Sequence, residues 1–413
     1  MTDETKRTID AAYALSLGRT LHVGVIGLGQ CGGNIAEAFA RREYPALALN
    51  TSQADLRSLS HLSDGQKMVI GDERFGSGGS LALGGEAIRH SGEKIEEAVL
   101  RAFEDVELVL VAGGLGGGTG GNLAELVNML AAHELPIVAV GALPGDGEGH
   151  RAKTNALWAL NELVESDAEA ILLVDNEKLF EAHAGATVTS FMRECNEALV
   201  TAFDQLNRIS NDERLRSIRT FDPNDLRQIL RFGGVTIFGS RPIEGALNRD
   251  TLGSAFAEIL NQNELLASGF EATDVVTVGS VIAASERLLA GTPASAFEDY
   301  IREIKRVTQG AMHRTGLYAT DGKDSRLYVI AAGLPLPSRT RALLGEATEE
   351  SKTFGTKKQA ARGKLKKLDL SALGMPAPVP SDAGKGAPPP AHVELDVADE
   401  VDDADVVEAV AAD

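Results

Sequence analysis

Short apolar runs alternate along the first 176 residues with stretches in which apolar residues recur every three or four positions. The runs predict buried strands, and the recurring spacing predicts amphipathic helices. The predicted strands cover residues 22–26, 46–49, 67–70, 106–112, 136–141 and 169–174. The helical patterns are clearest over residues 84–102, 120–133 and 150–165. Strands that alternate with helices predict an α/β fold with a mostly parallel sheet, in which ligands bind at the carboxyl ends of the strands.

A longer helical pattern follows at residues 188–209. Apolar side chains recur along it at steps of three or four, so one stripe of this helix is predicted to face a core. The stripe consists of Phe191, Cys195, Leu199, Phe203 and Leu206. A second, smaller unit is predicted over about residues 232–334. Its strands are expected at 235–238, 275–284 and 327–332, and its helices near 252–260 and 295–308.

The composition changes after Pro337. Lysine and arginine are concentrated in residues 352–367, and proline, glycine and alanine in residues 375–390, while residues 394–413 are acidic. Such a segment buries too little apolar surface to fold alone, so residues 338–413 are predicted to be a disordered tail. The tail is either a solvated extension or a docking segment for a protein partner, and the sequence does not choose between them.

The overall composition excludes several classes of function. A net charge of −20 over 413 residues argues against binding to a nucleic-acid backbone. No apolar stretch approaches the length of a transmembrane segment, and the first residues lack the apolar part of a signal peptide. The two cysteines, Cys31 and Cys195, do not indicate a disulfide framework, so a cytoplasmic location is expected. The eight histidines are scattered, so no metal site made of protein ligands is predicted.

A glycine-rich loop at residues 113–122 is the most informative motif in the chain. It reads Gly-Gly-Leu-Gly-Gly-Gly-Thr-Gly-Gly-Asn, follows a predicted strand and precedes a helical pattern. This arrangement directs backbone N–H groups and a helix N-terminus towards an anion such as phosphate, and Thr119 adds a hydroxyl group. Because the loop has no lysine followed by serine or threonine, it is not a Walker P-loop. The alternative is a flexible turn, which the flanking strand and helix disfavour.

A second glycine loop follows the first predicted strand. Gly27, Gly29 and Gly32 satisfy the G-x-G-x-x-G pattern of a dinucleotide-binding site. A site for NAD would also need an acid about 20 residues further on, where it binds the ribose hydroxyls. Asn50 stands at the end of the second predicted strand instead. The sequence therefore disfavours NAD, and two phosphate-type loops on one sheet fit a single nucleotide held from several sides.

The two glycine loops, in this order and on these strands, resemble those of the tubulin/FtsZ superfamily of polymerising GTPases. Residues 116–120 match the signature loop of the superfamily, and residues 29–32 are similar to the first loop of eukaryotic tubulins. The likeness covers about residues 21–334. It implies an N-terminal extension at 1–20, a GTP-binding domain at 21–187, a central helix and catalytic loop at 188–231, and a smaller α+β activation domain at 232–337.

The resemblance also implies which residues bind GTP or GDP together with Mg²⁺. Residues 76–80 stand at the position of the γ-phosphate-sensing loop, residues 144–151 at the sugar-binding loop and Asp175–Leu179 at the guanine-reading loop. The implied nucleotide ligands are Gly29, Gln30, Cys31, Asn34, Asn50, Ser77, Gly78, Gly79, Gly116, Gly117, Gly118, Thr119, Gly120, Glu148, Arg151, Asn176, Phe191, Met192 and Asn196.

The chemistry of these residue types fits the implied site. Amides of residues 116–120 would hold the α- and β-phosphates. The side chains of Asn176 and Asn196 each offer a donor and an acceptor, as the edge of guanine requires, and Asn34 is placed to reach the base or the sugar. Taken singly, each asparagine could equally be an ordinary helix cap or turn residue.

The sugar and the base ring have their own candidates. Glu148 would bind the ribose hydroxyls, with Arg151 as the cation beside them. Either Phe191 or Met192 would stack on the guanine ring, and the sequence leaves this choice open.

The loop at residues 220–225, Thr-Phe-Asp-Pro-Asn-Asp, follows the central helix. In the superfamily this loop carries two acids that complete the active site of the next subunit, and Asp222 and Asp225 match them. The resemblance therefore implies that GTP is hydrolysed after head-to-tail association, with the two acids orienting the attacking water. Taken alone, the same residues would make a good helix N-cap.

We therefore expect a cytoplasmic GTPase that polymerises head to tail with copies of itself, without direct contact with nucleic acid and without a transmembrane segment. Thr220 replaces the asparagine usual in the catalytic loop, and the loop at residues 76–80 has lost much of its usual form. Gly121 and Asn122 also depart from the signature. The changes at Thr220 and in residues 76–80 motivate an alternative, a GTP-bound structural scaffold that hydrolyses little. A NAD-dependent oxidoreductase is a less favoured third hypothesis.

Overall fold

The strands and helices of the predicted α/β pattern are present in a computed structural model of the protein. It describes residues 18–71, 76–187, 190–212, 214–322 and 324–364, with side chains as far as residue 360. Residues up to Leu344 form one compact unit, and those from Gly345 form a second. The whole sheet lies in the first unit.

Eleven strands of the described residues form a single sheet. They are β1 (Val23–Leu28), β2 (Ala46–Asn50), β3 (Lys67–Val69), β4 (Leu108–Gly114), β5 (Ile137–Leu143), β6 (Ala170–Asp175), β7 (Leu215–Arg219), β8 (Val235–Pro242), β9 (Thr277–Ser285), β10 (Met312–Thr320) and β11 (Arg326–Leu334). Every residue of β1, β2, β5 and β6 is buried, as expected for parallel strands covered on both faces.

The strand order is β3-β2-β1-β4-β5-β6-β8-β11-β9-β10-β7. The seven strands from β3 to β8 run parallel to one another, which confirms the prediction of a mostly parallel sheet. The order reverses between β1 and β4, which pair from Val23 with Leu108 to Leu28 with Gly113. Loops leave such a reversal point on opposite faces of the sheet and open a crevice for a ligand. The two glycine loops follow these two strands.

Thirteen α-helices are present in the described residues. They are α1 (Gly29–Ala40), α2 (Gln53–Ser58), α3 (Leu81–His90), α4 (Gly92–Ala102), α5 (Leu123–Ala131), α6 (His150–Val164), α7 (Asn176–Ala182), α8 (Phe191–Arg208), α9 (Pro223–Leu230), α10 (Arg249–Asn261), α11 (Glu286–Ala290), α12 (Ala294–Val307) and α13 (Ser338–Lys364). None of these helices combines the length and the apolar character that crossing a membrane requires.

The C-terminal part of the sheet is mixed. β11 is antiparallel to β8 and β9, β10 is parallel to β9, and β7 is antiparallel to β10. Strands β8 to β11, with the helices between them, form the smaller α+β part that the sequence predicts over residues 232–334, and β7 adds an edge strand from outside that range. One register pair, Ile171 with Val235, joins β6 to β8 and so connects the two halves of the sheet. The sequence prediction missed β7 and β10, because their many exposed and half-buried residues do not form an apolar run.

The single helix predicted over residues 84–102 is instead two helices, α3 and α4, which meet at Ser91. The Ser91 N–H bonds to the carbonyls of Ala87 and Ile88, and its hydroxyl accepts a hydrogen bond from the Gly71 N–H at 3.0 Å. This contact joins residues that are distant in the sequence. The helical periodicity alone therefore could not show the break.

The prediction that residues 338–413 are disordered is wrong for the first part, because Ser338–Lys364 form helix α13. In the first unit, Thr340 and Leu343 are buried, and the Thr340 hydroxyl donates to the Pro337 carbonyl at 2.7 Å. In the second unit, Lys352 pairs with Glu349 three residues before it at 2.9 Å, a spacing that supports the helix. Residues beyond Lys364 and those before residue 18 lie outside the described residues.

Helix α8 is the long helix predicted over residues 188–209. Residues 188 and 189 lie outside the described residues, and the helix begins at Phe191. The predicted apolar stripe is confirmed from its second member onwards, while Phe191 itself is half-buried. The buried members are Cys195, Leu199, Phe203 and Leu206.

A buried polar network joins α8 to the segment before β1. Asp204 accepts hydrogen bonds from the Tyr44 hydroxyl at 2.8 Å and from Arg208 Nε at 2.9 Å, and it pairs with Arg19 Nε at 3.4 Å. The Arg19 side chain is 3% exposed, and its guanidinium lies 3.7 Å from the centre of the Tyr44 ring. Burial opposes ionisation of Asp204, but the hydrogen bonds and the nearby cations outweigh it and hold its pKa below the ordinary value.

We expect Asp204→Asn to lower the free energy of unfolding by about 3 kcal/mol, because the change leaves Arg19 buried without its counter-charge. Since the pKa of Asp204 is depressed in the folded state, the difference between wild type and variant is complete above the ordinary pKa of 3.8. It declines as the pH falls through the lower folded-state pKa. Urea unfolding followed by circular dichroism at several pH values measures both effects.

Glu286→Gln is the matched control. In the wild type, Glu286 forms an exposed ion pair with Arg216, in which the Glu286 side chain is 57% exposed and the Arg216 side chain 72%. Pairs of this kind contribute less than about 1 kcal/mol. Equal losses in the two variants would contradict a stabilising role for the buried network.

Candidate functional site

The loops that follow β1 to β6 meet at one edge of the sheet, because parallel strands end at the same edge. They enclose a cavity of about 400 Å³, which we call the glycine chamber. Most of the predicted ligands line it. These are Gly29, Gln30, Cys31, Asn50, Ser77, Gly78, Gly79, Gly116, Gly117, Gly118, Thr119, Gly120, Glu148 and Asn176.

At several glycines in and around the glycine chamber, neighbouring segments of the chain lie too close to leave room for a Cβ. A Cβ on Gly118 would lie 2.6 Å from Ser77 Oγ, and one on Gly84 would overlap the Gly118 carbonyl oxygen. A Cβ on Gly32 would overlap the carbonyl oxygen of Ala112. The loop after β4 is thus packed directly against α3 and the loop after β3. Glycine at these crossings lets the backbone N–H groups approach a bound ligand closely.

Two helical N-termini open onto the glycine chamber. Helix α1 begins at Gly29, which has a positive φ of 72°, and no side chain caps it. The 3-10 turn Gly120–Asn122, which leads into α5, has no side-chain cap either. Neither of these first turns contains an acidic residue. Uncapped N–H groups at the positive end of a helix bind anions, so this chamber suits phosphate groups.

Three hydroxyl groups tie the loops of the glycine chamber together. Thr119 Oγ1 lies 2.8 Å from Thr51 Oγ1 and 3.0 Å from Ser77 Oγ. The Ser77 N–H donates to Thr51 Oγ1 at 3.0 Å, and all three residues are buried. The loop after β3 is therefore linked to the signature loop through side chains as well as through backbone packing.

Asn50 has a structural part in this chamber. Its amide nitrogen donates to Asp55 Oδ2 at 3.2 Å, and its amide oxygen accepts from the Ser52 N–H at 3.0 Å. Asp55 also lines the chamber. No group of three or more metal-ligating side chains occurs in the part of the chain that the structure describes. A cation bound here would therefore need oxygens of the ligand or of water in addition to Asp55.

A second cavity of about 550 Å³ adjoins the first, and we call it the amide chamber. It is lined by Asn34 of α1, Asn176 of α7 and Asn196 of α8. None of these three side chains makes a hydrogen bond with another described residue, and none caps a helix. Free amides supply both donors and acceptors to a ligand. Three of them facing one cavity suit a planar base that presents both kinds of group.

An aromatic pair forms one wall of the amide chamber. The rings of Phe180 and Phe191 meet edge to face, with centroids 5.6 Å apart. Met192 lines the same chamber and is 47% exposed, whereas Phe191 packs against the core. Packing fixes the ring of Phe191, which favours it over Met192 as the stacking residue. Which of the two stacks on a base stays a prediction.

Five residues line both chambers, namely Gln30, Cys31, Ala142, Glu148 and Asn176. Glu148 Oε1 accepts a hydrogen bond from the Gly145 N–H at 3.1 Å, which holds the carboxylate at the boundary. A sugar that connects a base to phosphates would lie at this boundary. Burial, together with the charge of Glu148, raises the pKa of the Cys31 thiol to about 12. Cys31 is therefore neutral at physiological pH and does not repel an anion.

Three predicted site residues line neither chamber. A Cβ on Gly79 would lie 3.6 Å from Cζ of Arg151, so that arginine packs beside the loop after β3. Asp222 and Asp225 form the capping box of α9, in which Asp225 Oδ2 accepts from the Asp222 N–H at 3.0 Å. Asp225 Oδ1 also pairs with Arg314 Nε at 3.2 Å. Within one subunit the two acids therefore cap a helix, as their sequence alone allowed.

The predicted ligands leave out several lining residues, among them Thr51, Asp55, Glu177 and Phe180, of which Glu177 lies within the predicted guanine-reading loop. Thr51 and Asp55 follow the same strand as Asn50, and this position could have identified them. Phe180 lies one helical turn after Asn176, a spacing that places both on one side of α7. Glu177 accepts a hydrogen bond at 2.7 Å from the N–H of Asp146, which is distant in the sequence. No pattern in the sequence predicts that contact.

The site combines an anion-binding chamber with an amide-lined chamber at the reversal point of a parallel sheet, and this defines a nucleotide-binding α/β protein. Residues 22–184 match the model of the Tubulin/FtsZ family, GTPase domain. The match therefore places residues 22–184 in this domain family. The family match confirms the resemblance of the two glycine loops.

Known relatives extend the similarity over most of the chain. A tubulin-like protein CetZ of Thermococcus kodakarensis is 27% identical over 359 residues, which cover 83% of this chain and 90% of the relative. The GTPγS-bound protofilament of CetZ2 from Haloferax volcanii has a TM-score of 0.67 at 25% identity and covers 81% of this chain and all of that one. A GTPγS-form protofilament of TubZ from Bacillus thuringiensis serovar israelensis has a TM-score of 0.71 at 20% identity, covers 84% of this chain and 95% of that one, and shares the fold.

We expect Gly118→Ala to weaken GTP binding at least about ten-fold. The added methyl group would collide with Ser77 and push the loop after β3 away from the signature loop. Overpacking of this kind costs roughly 1–3 kcal/mol, and about 1.4 kcal/mol corresponds to a factor of ten in affinity. Titration with a fluorescent GTP analogue measures the change.

Gly65→Ala is the control for this substitution. Gly65 lies in the 3-10 turn Asp64–Gln66 before β3, lines neither chamber, and a Cβ there would have no neighbour within 4 Å. Its variant should bind the analogue as wild type does. If Gly118→Ala also bound the analogue as wild type does, the close packing of the loops after β3 and β4 would not be needed for nucleotide binding.

Proposed function

We propose that this protein binds GTP with Mg²⁺, assembles head to tail into filaments and hydrolyses GTP where two subunits meet. One observation carries the proposal: Asp222 and Asp225 line neither chamber of their own subunit. If these acids act in hydrolysis, they have to be supplied to the site of another subunit. A contact between two different surfaces of the same protein does not close on itself and so builds a filament.

The two chambers suit the two ends of GTP. The uncapped N–H groups of the glycine chamber would hold the phosphates, and Glu148 at the boundary would bind the ribose. The amides of Asn34, Asn176 and Asn196 would read the edge of guanine, which presents donors and acceptors together. Membership of a GTPase domain family supports this choice of nucleotide.

Mg²⁺ supplies positive charge that stabilises the phosphoryl group during transfer. Asp55 is the carboxylate of the glycine chamber suited to this ion, either directly or through water. Magnesium sites in nucleotide-binding proteins commonly use one or two carboxylates and complete the coordination with phosphate oxygens and water. The residues present are therefore compatible with a magnesium–nucleotide complex.

The acids of the neighbouring subunit would orient and polarise the attacking water. Backbone N–H groups of the signature loop would stabilise the charge that develops on the phosphoryl oxygens. Pro223 at the first turn of α9 and the capping box keep the acid-bearing loop in a fixed conformation. The protofilaments of CetZ2 and TubZ that contain GTPγS support assembly as the context for this chemistry.

A GTP-bound scaffold that hydrolyses slowly is the second candidate. The specific observation in its favour is that Asp222 and Asp225 already have a complete structural role in the capping box and that Asp225 pairs with Arg314. On this hypothesis the acids shape the loop, and the filament persists without turnover. Steady-state hydrolysis separates the two candidates.

The nucleotide that copurifies with the protein gives the first test. We expect GTP or GDP in the supernatant of heat-denatured protein, because the free amides of the amide chamber match guanine. Ion-exchange chromatography with guanine, adenine and NAD standards identifies it. Recovery of NAD instead would favour the oxidoreductase hypothesis and contradict the proposal.

We expect Asp225→Asn to lower GTP turnover at least about a hundred-fold, a typical effect for loss of a group that acts on the attacking nucleophile. Asparagine keeps an acceptor for the capping box, so GTP binding and assembly should remain. Phosphate release and sedimentation with GTP measure the two properties. Asp250→Asn, at an exposed first-turn acid of α10 that is 84% accessible, is the control and should hydrolyse normally.

A mixing experiment tests whether the acid acts across subunits. Gly118→Ala subunits are expected to bind GTP poorly but keep both acids, whereas Asp225→Asn subunits bind GTP and lack one. Where the two variants co-sediment, their mixture should hydrolyse GTP faster than the sum of the separate proteins. Co-sedimentation without such a gain would contradict hydrolysis at the interface. A wild-type rate no higher than that of Asp225→Asn would favour the scaffold.

A further inference from the structure

Arg339, in the first turn of α13, reaches the half of the site that we assign to the base and the ribose. Its Nη2 lies 3.4 Å from the Pro144 carbonyl oxygen and 3.5 Å from Asp146 Oδ1, and its Nε lies 3.7 Å from Asp175 Oδ1. The side chain is only 13% exposed. One guanidinium therefore contacts both the loop after β5 and the last residue of β6.

The contact with Asp175 bears directly on Asn176, which follows it. The Asp175 side chain is 1% exposed and caps α7 by accepting the Glu177 N–H at 3.2 Å. Burial raises the pKa of Asp175, and the charges of Arg339 and Lys178 oppose that shift. A buried carboxylate without a cation is costly, so the cap from which Asn176 starts depends on these partners.

Arg339 also joins two loops that are already connected to each other. The Asp146 N–H donates to Glu177 Oε2 at 2.7 Å, so the loop after β5 is tied to the first turn of α7. Arg339 contacts Asp146 on one side of this link and Asp175 on the other. The four residues form a closed circuit of polar contacts around the point where Asn176 enters the amide chamber.

The turn that carries Arg339 is itself fixed. The Ser338 hydroxyl donates to the Ser268 carbonyl at 3.4 Å. Lys178 of α7 donates to the Leu266 carbonyl at 3.2 Å and to the Ser268 hydroxyl. The segment at residues 266–268 thus holds both the first turn of α13 and the second cation beside Asp175. The guanidinium is held on a rigid support.

We propose that Arg339 is a positioning residue for guanine selection, which fixes Asn176 through Asp175 and the loop after β5 through Asp146. This inference rests on the proposed binding of GTP. Arg339 lines neither chamber, so it acts through these residues and does not touch the nucleotide. The contacts given above are with the loop after β5 and the last residue of β6, and Pro144 is the one of them that lines the glycine chamber. Its loss should therefore impair recognition of the base and leave the discrimination between GTP and GDP unchanged.

The test compares GTP, GDP and ITP binding to full-length wild type and Arg339→Ala. The base of ITP lacks the exocyclic amino group of guanine, so the ratio of GTP to ITP affinity reports how well the amide chamber reads that group. We expect GTP affinity to fall about ten-fold and the GTP:ITP ratio to fall towards one. The GTP:GDP ratio should stay at the wild-type value. Equal losses for GTP and ITP would overturn the inference.

Asn176→Ala shows whether Arg339 acts through that asparagine. If it does, Arg339→Ala combined with Asn176→Ala should have the same GTP:ITP ratio as Asn176→Ala alone, because the two changes remove one interaction. Independent effects that multiply would contradict the proposed route. Arg341→Ala, an exposed arginine two residues further along α13, is the matched control and should bind all three nucleotides as wild type does.

Arg339→Lys keeps the experiment decisive if the alanine variant does not fold. Lysine retains the charge beside Asp175 but not the planar fork that serves several acceptors at once, so its GTP:ITP ratio should be intermediate. A ratio equal to that of wild type and of Arg341→Lys would overturn the inference. If wild type itself bound no guanine nucleotide, the proposed function would fail. If wild type prefers GTP and both Arg339 variants keep that preference, only the role of Arg339 fails.

Discussion

The close approach of backbone segments at the edge of the sheet is the constraint on which the rest of the site depends. Gly118 has room for no side chain because Ser77 lies against it, and Gly84 faces the Gly118 carbonyl in the same way. A methyl group at either place would separate the loops after β3 and β4. The hydrogen bond between Thr119 and Ser77 would then be lost, together with the alignment of N–H groups around the glycine chamber. The position of these N–H groups is thus set by the packing of the loops after β3 and β4 against each other.

This constraint explains how a strongly acidic chain can hold a polyanion. Of the described residues that line the glycine chamber, none is a lysine or an arginine. Attraction for phosphate has to come from backbone dipoles and helix N-termini, which are fixed by the fold and carry no net charge. A site of this type leaves most of the ligand's charge uncompensated. The divalent cation that accompanies a nucleoside triphosphate therefore has more negative charge to neutralise here than in a site that contains a lysine.

The sequence predicts those features that depend on local patterns. The seven parallel strands and the glycine loops can be predicted because apolar runs and glycine spacing lie within a few neighbouring residues. The sequence does not predict β7 and β10, because their residues are largely exposed or half-buried. It does not predict helix α13 either, because the beginning of that helix is fixed by the burial of Thr340 and Leu343. The contact of Asp146 with Glu177 and the contacts of Arg339 join residues far apart in the chain. Such contacts follow from the tertiary structure, and no spacing within one segment encodes them.

The nucleotide site is assembled from parts with different mechanical supports. The glycine chamber depends on contacts among loops of the parallel sheet, whereas the amide chamber depends on Asp175 and, through it, on the first turn of α13. A displacement of that turn would alter the position of Asn176. It would leave the close packing of the loops after β3 and β4 at Gly118 intact. Conversely, a third phosphate would press on the loop that contains Ser77 without direct contact with Arg339. If the chambers bind GTP as proposed, base recognition and phosphate sensing are physically separable, and the residues that line both chambers, Glu148 and Asn176 among them, connect the two functions.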